Sequence, residues 1–240
     1  TAKVTTMENM FEDANNIDND LKLETSSVTS MKNMFKGASK FNMKLENYEG
    51  GYLKTSNVET FESMFEGANE FKGKFSFIWN VTSATSMKNM FKNTRVLGTR
   101  SGSVEMEFSA SDKLEDVSGL FEYEHTNTAT YTSINNNVKI SFNDAIGTMN
   151  MSRMFKGLPF NTQFSCDSSL NARICFSDIP KANDMSFMFD GAESFNQDLI
   201  RFDTSQVISM AHMFEGATNF NQDLINFNTS QVTNMKNMFR

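Results

Sequence analysis

An α/β solenoid is the fold class that this 240-residue sequence predicts, and three observations predict it. A pattern Val-x-x-Met-x-x-Met-Phe-x-Gly-Ala recurs along the whole chain, polar residues fill the positions between its apolar ones, and a second apolar pair returns at a fixed distance beyond each copy. Clear copies begin at Val4, Val28, Val58, Ala84, Ala182, Val207 and Val232, and worn copies begin at Leu114 and Thr148. Self-similarity at such a period is the signature of repeat architectures, in which a unit too small to shield its own apolar side buries it against its neighbours.

The repeated stretch reads as a short one-sided helix. At about 100° per residue, positions 0, 3, 6, 7 and 10 of the pattern fall within an arc of roughly 120°. That face carries the predicted core: Met34, Phe35, Met64, Phe65, Met90, Phe91, Met188, Phe189, Met213 and Phe214. Lys32, Asn33, Lys88, Asn89, Lys236 and Asn237 occupy the polar side. Thr25-Ser26, Thr55-Ser56, Thr204-Ser205 and Thr229-Ser230 stand where N-caps belong, with hydroxyls for first-turn N–H groups. Gly37, Gly67, Gly157, Gly191 and Gly216 follow as C-caps, where a positive φ costs glycine nothing. Asp13 and Asn93 take that place in two copies, and Tyr123 is the exception.

Four residues beyond the glycine position Ile17, Phe41, Phe71, Leu97, Phe195 or Phe220 appears, and four later comes Leu21, Leu45, Leu199 or Leu224. A short strand around Leu-x-x-Phe, preceded by a turn, is the expectation. Helix and strand then alternate, and stacking them makes one parallel sheet backed by a row of helices. The regular repeats cover 1–94 and 182–240, while 95–181 is an expanded, degenerate section of the same single domain.

The Met-Phe phenylalanines stand at 11, 35, 65, 91, 121, 155, 189, 214 and 239, so the spacing is uneven and the longer units must carry insertions. One is Asn47-Tyr48-Glu49-Gly50-Gly51-Tyr52-Leu53, whose glycine pair between aromatic residues signals a β-hairpin. Ser103 to Phe108 and Asn137 to Phe142 alternate with period two and read as strands, and the segment from Gln163 to Phe176 reads as another hairpin. Cys166 and Cys175 lie across it: either they form a disulfide in an oxidising compartment, or they are two reduced buried thiols.

Composition excludes several functions. A net charge of −7 with no basic cluster among aromatics argues against nucleic acid. No apolar run reaches the roughly 18 residues of a membrane span, and no secretory leader opens the chain. The 18 Met and 24 Phe are accounted for by the repeated core positions, which argues against a Met-rich cofactor site. Phosphate loops, nucleophile elbows and paired-His metal motifs are absent, and His125 and His212 fall in unrelated units, so neither enzyme activity, cofactor nor metal is expected. Asp20, Asp198 and Asp223 recur at one equivalent position, as a solvated row or turn-forming acceptors before a site for calcium or a cationic partner. Asn42, Asn196 and Asn221 are expected to satisfy backbone groups and stack on one another. With Asp20, Asp198 and Asp223, the candidate binding residues are Tyr48, Tyr52 and Arg201. Asn80, Asn150 and Asn228 head glycosylation-type triplets, meaningful only in a secretory route that uses them. The chain enters and leaves in mid-repeat with no capping unit, which suggests a piece of a longer protein.

Val-Thr-Asn234-Met-Lys-Asn-Met-Phe239 and Gly-Ala-Thr-Asn-Phe220-Asn-Gln-Asp-Leu224 resemble the repeat of BspA-like leucine-rich-repeat surface proteins, a group that includes mycoplasma surface lipoproteins. Phe202 and Phe227 stand where that family often carries Trp. The resemblance implies an LRR-like right-handed stack displayed on the cell surface, outside the cell, for adhesion or recognition. Its partners would be a protein or glycan on a host or neighbouring cell, or a second copy of itself. A structural stalk, sheath or filament built by stacking is the other reading. The resemblance brings no catalytic residues.

Overall fold

The computed structural model describes residues 3–71, 77–94, 106–110, 113–124, 138–140, 147–158, 163–164, 173–176, 181–199 and 202–240. Among these residues there is no helix, which overturns the helix-plus-strand solenoid. The Met-Phe stretches are runs of overlapping tight turns. In the second unit Met34 N–H donates to Met31 C=O at 3.2 Å, Lys36 to Asn33 at 3.1 Å and Ala38 to Phe35 at 3.1 Å. The intervening donors point out of the unit altogether: Met31, Asn33, Phe35 and Gly37 donate to Thr60, Glu62, Met64 and Glu66 of the next unit at 2.7–3.0 Å. Backbone donors therefore alternate, one closing a turn and the next bonding along the stack. An α-helix would have sent all of them to carbonyls four residues back.

One donor per unit falls outside both sets, and a side chain takes it. Lys32 N–H reaches Ser30 Oγ at 3.4 Å, Ser118 N–H reaches Asp116 Oδ1 at 2.8 Å, and Lys236 N–H reaches Asn234 Oδ1 at 3.1 Å. The same residue is the rung that joins the units. Parallel bridges run Thr6, Ser30, Thr60, Ser86, Asp116, Asn150, and again Asp184, Ser209, Asn234, with Asn150 and Asp184 joined through a strand pair. Short polar residues recur there because only they bond their own backbone two positions on.

Turn geometry also explains the glycines. Gly37, Gly67, Gly157, Gly191 and Gly216 have φ of 68–73°, but each sits third in a four-residue turn such as Phe35 to Ala38, not at a helix end. A second left-handed residue lies four before it, for example Asn33 at φ 55°. The Thr-Ser pairs likewise open a turn: Val28 N–H donates to Thr25 C=O at 3.0 Å, while Thr25 Oγ1 donates to Lys54 C=O of the next unit at 2.8 Å. They are not N-caps.

Among the described residues nine short strands connect the turn runs: β1 Leu21–Leu23, β2 Leu45–Asn47, β3 Phe77–Val81, β4 Met106–Ala110, β5 Val138–Ile140, β6 Thr148–Asn150, β7 Gln163–Phe164, β8 Arg173–Phe176 and β9 Lys181–Asp184. They form no single parallel sheet. β1 pairs with β2, β3 with β4, β6 with β9, and β8 with both β5 and β7, every pair parallel. Parallel pairing of β7 with β8 rules out the hairpin expected between Gln163 and Phe176, because a hairpin needs antiparallel strands. The insertion at Asn47 is a turn, not a β-excursion: Gly50 N–H donates to Asn47 C=O and no strand follows. In the eighth unit the strand expected around Leu224 is also a turn, with Phe227 N–H on Leu224 C=O at 2.9 Å.

The core lies inside the turn runs. Val28, Met31, Met34, Phe35 and Ala38 are fully buried, as are Met64, Phe65, Met90, Met188, Phe189 and Met213. Phe11, Phe35, Phe65, Phe91, Phe121, Phe155, Phe189, Phe214 and Phe239 form one column of nearly parallel rings with neighbouring centroids 5.1–6.0 Å apart. Phe41, Phe71, Phe195 and Phe220 stack beside it, 4.1–4.2 Å from the ring of their own unit. Offset stacking at these separations adds about 0.5–1.5 kcal/mol per pair beyond area burial.

Candidate functional site

Two places on the stack carry side chains that the packing of the core does not call for. The first is the turn after β2. Asn47 N–H donates to Gly51 C=O at 3.0 Å, Tyr48 N–H to Leu23 C=O at 3.2 Å, and Glu49 N–H to Asn47 Oδ1 at 2.9 Å. Gly50 and Gly51 take φ of 95° and 78°, with open space where a Cβ would stand. These bonds hold the backbone while the side chains on either side project: Tyr48 is 73% exposed and Tyr52 57%. Lys44 pairs with Glu46, and Lys54 with Glu49 at 3.1 Å, so the charge around the tyrosines is balanced. Each lysine is raised above the ordinary ammonium range by its carboxylate hydrogen bond.

The predicted aspartates are exposed, and Asp20 and Asp223 accept backbone N–H groups. Asp20 Oδ1 accepts Lys44 N–H of the next unit at 2.8 Å, and Asp223 Oδ1 accepts Ile225 N–H of its own turn at 3.2 Å. Asp198 is exposed at the corresponding place. Among the described residues no group of three His, Cys, Asp or Glu side chains is placed to hold a metal ion. Asn196 Oδ1 accepts both Asn221 N–H and Gln222 Nε2–H at 2.9 Å, so one amide serves the unit above it. Arg201, Cys166 and His125 lie outside the described residues; Cys175 belongs to β8, whose backbone alone is described.

The second place runs along the outer edge of the turn runs, at the position before each glycine and at the first left-handed residue. Position by position the former reads Glu12, Lys36, Glu66, Lys92, Glu122, Lys156, Asp190, Glu215 and Arg240, largely alternating in sign. Lys36 meets Glu66 at 3.5 Å, Lys92 meets Glu122 at 3.7 Å, and Lys156 meets Asp190 at 2.5 Å. Glu122 is only 2% exposed and takes a two-point bond from Arg153, Nε to Oε2 at 3.1 Å and Nη2 to Oε1 at 3.0 Å. That carboxylate raises the guanidinium further against the desolvation of its site. Burial pulls Lys92 down, but Glu124 at 2.8 Å and the charge of Glu122 outweigh it and raise the ammonium, while Lys92 in turn lowers Glu124.

At the first left-handed position most units carry residues suited to it: Asn9, Asn33, Ser63, Asn89, Gly119 and Asn237. Three consecutive units carry bulkier side chains there. Arg153, Phe187 and His212 adopt φ of 59–60°, and their side chains are stacked. The Arg153 guanidinium carbon lies 5.8 Å from the Phe187 centroid, and the His212 ring lies 4.5 Å from it at an interplanar angle of 4°. Lys156 Nζ is 5.4 Å from the same ring. His212 Nδ1 is hydrogen-bonded to Glu215, whose carboxyl is lowered by that bond. The sequence alone places His212 in a unit unrelated to that of His125 and singles out neither Arg153 nor Phe187. The signal that finds them is their departure from Asn, Ser or Gly at one repeat position.

A family model described as a Mycoplasma protein of unknown function, DUF285, matches residues 1–102 and 149–240. The stretch between the two matches holds the fifth turn run, which keeps the bridges Ser86 to Asp116 and Asp116 to Asn150 even so. No curated protein and no solved structure matches the chain.

Proposed function

Because the chain belongs to the mycoplasma family DUF285, and because its stacked turns hold a tyrosine-bearing tip away from the core, we propose that it is a non-enzymatic recognition module displayed outside the cell. The single observation that carries this reading is the tip itself. Exposing two tyrosines is of no use to a core, and their turn is fixed by four backbone donors. Tyrosine with glycine and asparagine is the composition of adaptable binding loops, since it offers large amphipathic contact at a small entropy cost. Connecting segments on a rigid scaffold are where such function resides. The BspA-like resemblance of the repeat supports a place on the cell surface, facing a host or neighbouring cell.

The test is binding of the purified chain to host-cell surfaces and to extracellular matrix. A Tyr48→Ser/Tyr52→Ser double variant keeps both glycines and the turn, so its thermal unfolding should match the parent while its binding falls. Undiminished binding by that variant refutes the assignment of the tip.

A further inference from the structure

Leu21 precedes Thr25 by four residues and Leu45 precedes Thr55 by ten, so the second unit carries six more, and they are 47–52. Leu53 then stands two before Thr55 as Leu23 stands two before Thr25, and both leucines are in the core. The register nevertheless places another residue beside Leu23, because β1 and β2 pair Leu23 with Asn47. Asn47 is therefore an added residue in the core row, 1% exposed, and it sets a carboxamide next to a leucine.

Three of the four polar groups of Asn47 serve the insertion itself. Its N–H donates to Gly51 C=O at 3.0 Å, its C=O accepts Gly50 N–H at 2.8 Å, and its Oδ1 accepts Glu49 N–H at 2.9 Å. The fourth group, Nδ2, is buried and meets no acceptor among the described residues. A buried amide donor without a partner has lost its water for no hydrogen bond in return, a penalty that an apolar side chain does not carry. The core thus disfavours asparagine here, and the turn favours it. A short side chain with a carbonyl oxygen is what accepts the N–H two residues on and closes such a turn. The two backbone bonds are open to any residue at this position; the Oδ1 bond is what the side chain adds.

That bond lies where the tip has most freedom to lose. Gly50 and Gly51 follow directly, both at positive φ with open space where a Cβ would stand. Tyr48 sits between Asn47 and Glu49, inside the ring that the Oδ1 bond closes, and its own N–H is tied to Leu23 C=O at 3.2 Å.

We propose that Asn47 is the positioning residue of the tyrosine tip: its buried carboxamide, set against Leu23, fixes Glu49 and with it the direction in which Tyr48 leaves the turn. The proposal rests on the reading of the tip as a recognition site, but the order of the turn is measured with no partner present.

Amide NMR order parameters of the full chain provide the measurement. In the parent, Glu49 and Gly50 should lie near the rigid-backbone value of about 0.85, as Met31 and Phe35 of the stack do. Asn47→Ala, and Asn47→Leu as the variant that keeps apolar bulk, should lower Glu49 and Gly50 below about 0.6 and leave Met31 and Phe35 unchanged. Asn47→Asp retains the acceptor and should keep the parental values. A tip as ordered in both apolar variants as in the parent overturns the proposal, and so does an Asp variant as mobile as the Ala variant. Loss of order at Met31 and Phe35 as large as at Glu49 overturns it too, since Asn47 would then be holding the stack. Where the parent binds host-cell surfaces, Asn47→Ala should bind at least about tenfold more weakly with both tyrosines in place; undiminished binding by a mobile tip refutes the positioning role. A parent that binds nothing refutes the recognition reading instead, while the order parameters still decide what Asn47 does.

Discussion

The amide of Asn89 occupies the space where Gly119 of the next unit lacks a side chain: a Cβ at Gly119 would overlap Asn89 Oδ1 and lie 3.1 Å from Glu122 Oε2. Gly119 also has a φ of 62°, so two independent reasons keep it a glycine. Gly119→Ala should therefore lower the unfolding free energy by about 1–2 kcal/mol. Adding Asn89→Ala relieves the overlap but not the backbone, so the double variant should recover only part of the loss in chemical denaturation. Full recovery would show that the clash alone matters.

Phe65 is fully buried between Phe35 at 5.5 Å and Phe91 at 5.7 Å, with Phe71 at 4.2 Å in its own unit. Phe65→Ala should cost about 3–5 kcal/mol, the range for deleting a core phenylalanine. Exposed Ile225, 82% accessible, provides the contrast, and Ile225→Ala should change stability by less than about 0.5 kcal/mol.

Glu122 joins three successive units through Lys92 and Arg153. Glu122→Gln keeps the shape and removes the charge, and should destabilise the fold by about 1.5–3 kcal/mol, the worth of hydrogen bonds to a charged group. Hydrogen exchange should report the loss first at Phe121 and Tyr123, whose N–H groups bond to Met154 and Lys156 of the next unit. Uniform weakening along the whole stack is the outcome that contradicts this.

Acid should weaken the stack and base should weaken it again. Glu24, Glu124, Asp203 and Glu215 are all lowered by hydrogen bonds to Ser26, Lys92, Ser205 and His212, so they bind protons more readily unfolded. Their contribution is present above the unfolded carboxylate range of about 4 and is lost as pH falls through their lower folded values. Lys44, Lys54 and Lys92 are raised, so their contribution holds below about 10.4 and is lost as pH rises through the folded values. Melting temperature against pH should form a plateau between those limits.

Far-ultraviolet circular dichroism distinguishes the two readings of the repeat. A row of helices would produce the double minimum of a helix-rich protein; overlapping turns and short parallel strands should not.

The spacing of Val28, Met31, Met34, Phe35 and Ala38 is equally that of a helix face and of consecutive four-residue turns, since both return the chain to one side after three or four residues. Burial at those positions is thus legible, and the backbone path is not. The deciding residues were in view: Asn33 four before Gly37, and Ser30 ahead of both, are poor interior helix formers and good turn formers. A lone run of about ten residues is also short for a helix in water. The stacked row of Arg153, Phe187 and His212 was less legible, because its members are 34 and 25 residues apart and become neighbours only when the units stack.

The amino-acid sequence by itself determined the existence of nine equivalent units, the identity of their inward apolar residues and the left-handed backbone at the glycine position; the second left-handed position, four residues earlier, emerged only with the turns. Where each N–H would find its acceptor was decided only in three dimensions. Met31, Asn33 and Phe35 could have bonded within their own unit, and the presence of Thr60, Glu62 and Met64 carbonyls at 2.8–3.0 Å in the next unit is what turned them outward. Hydrogen bonding between units is a property of the stack, and no single repeat contains it.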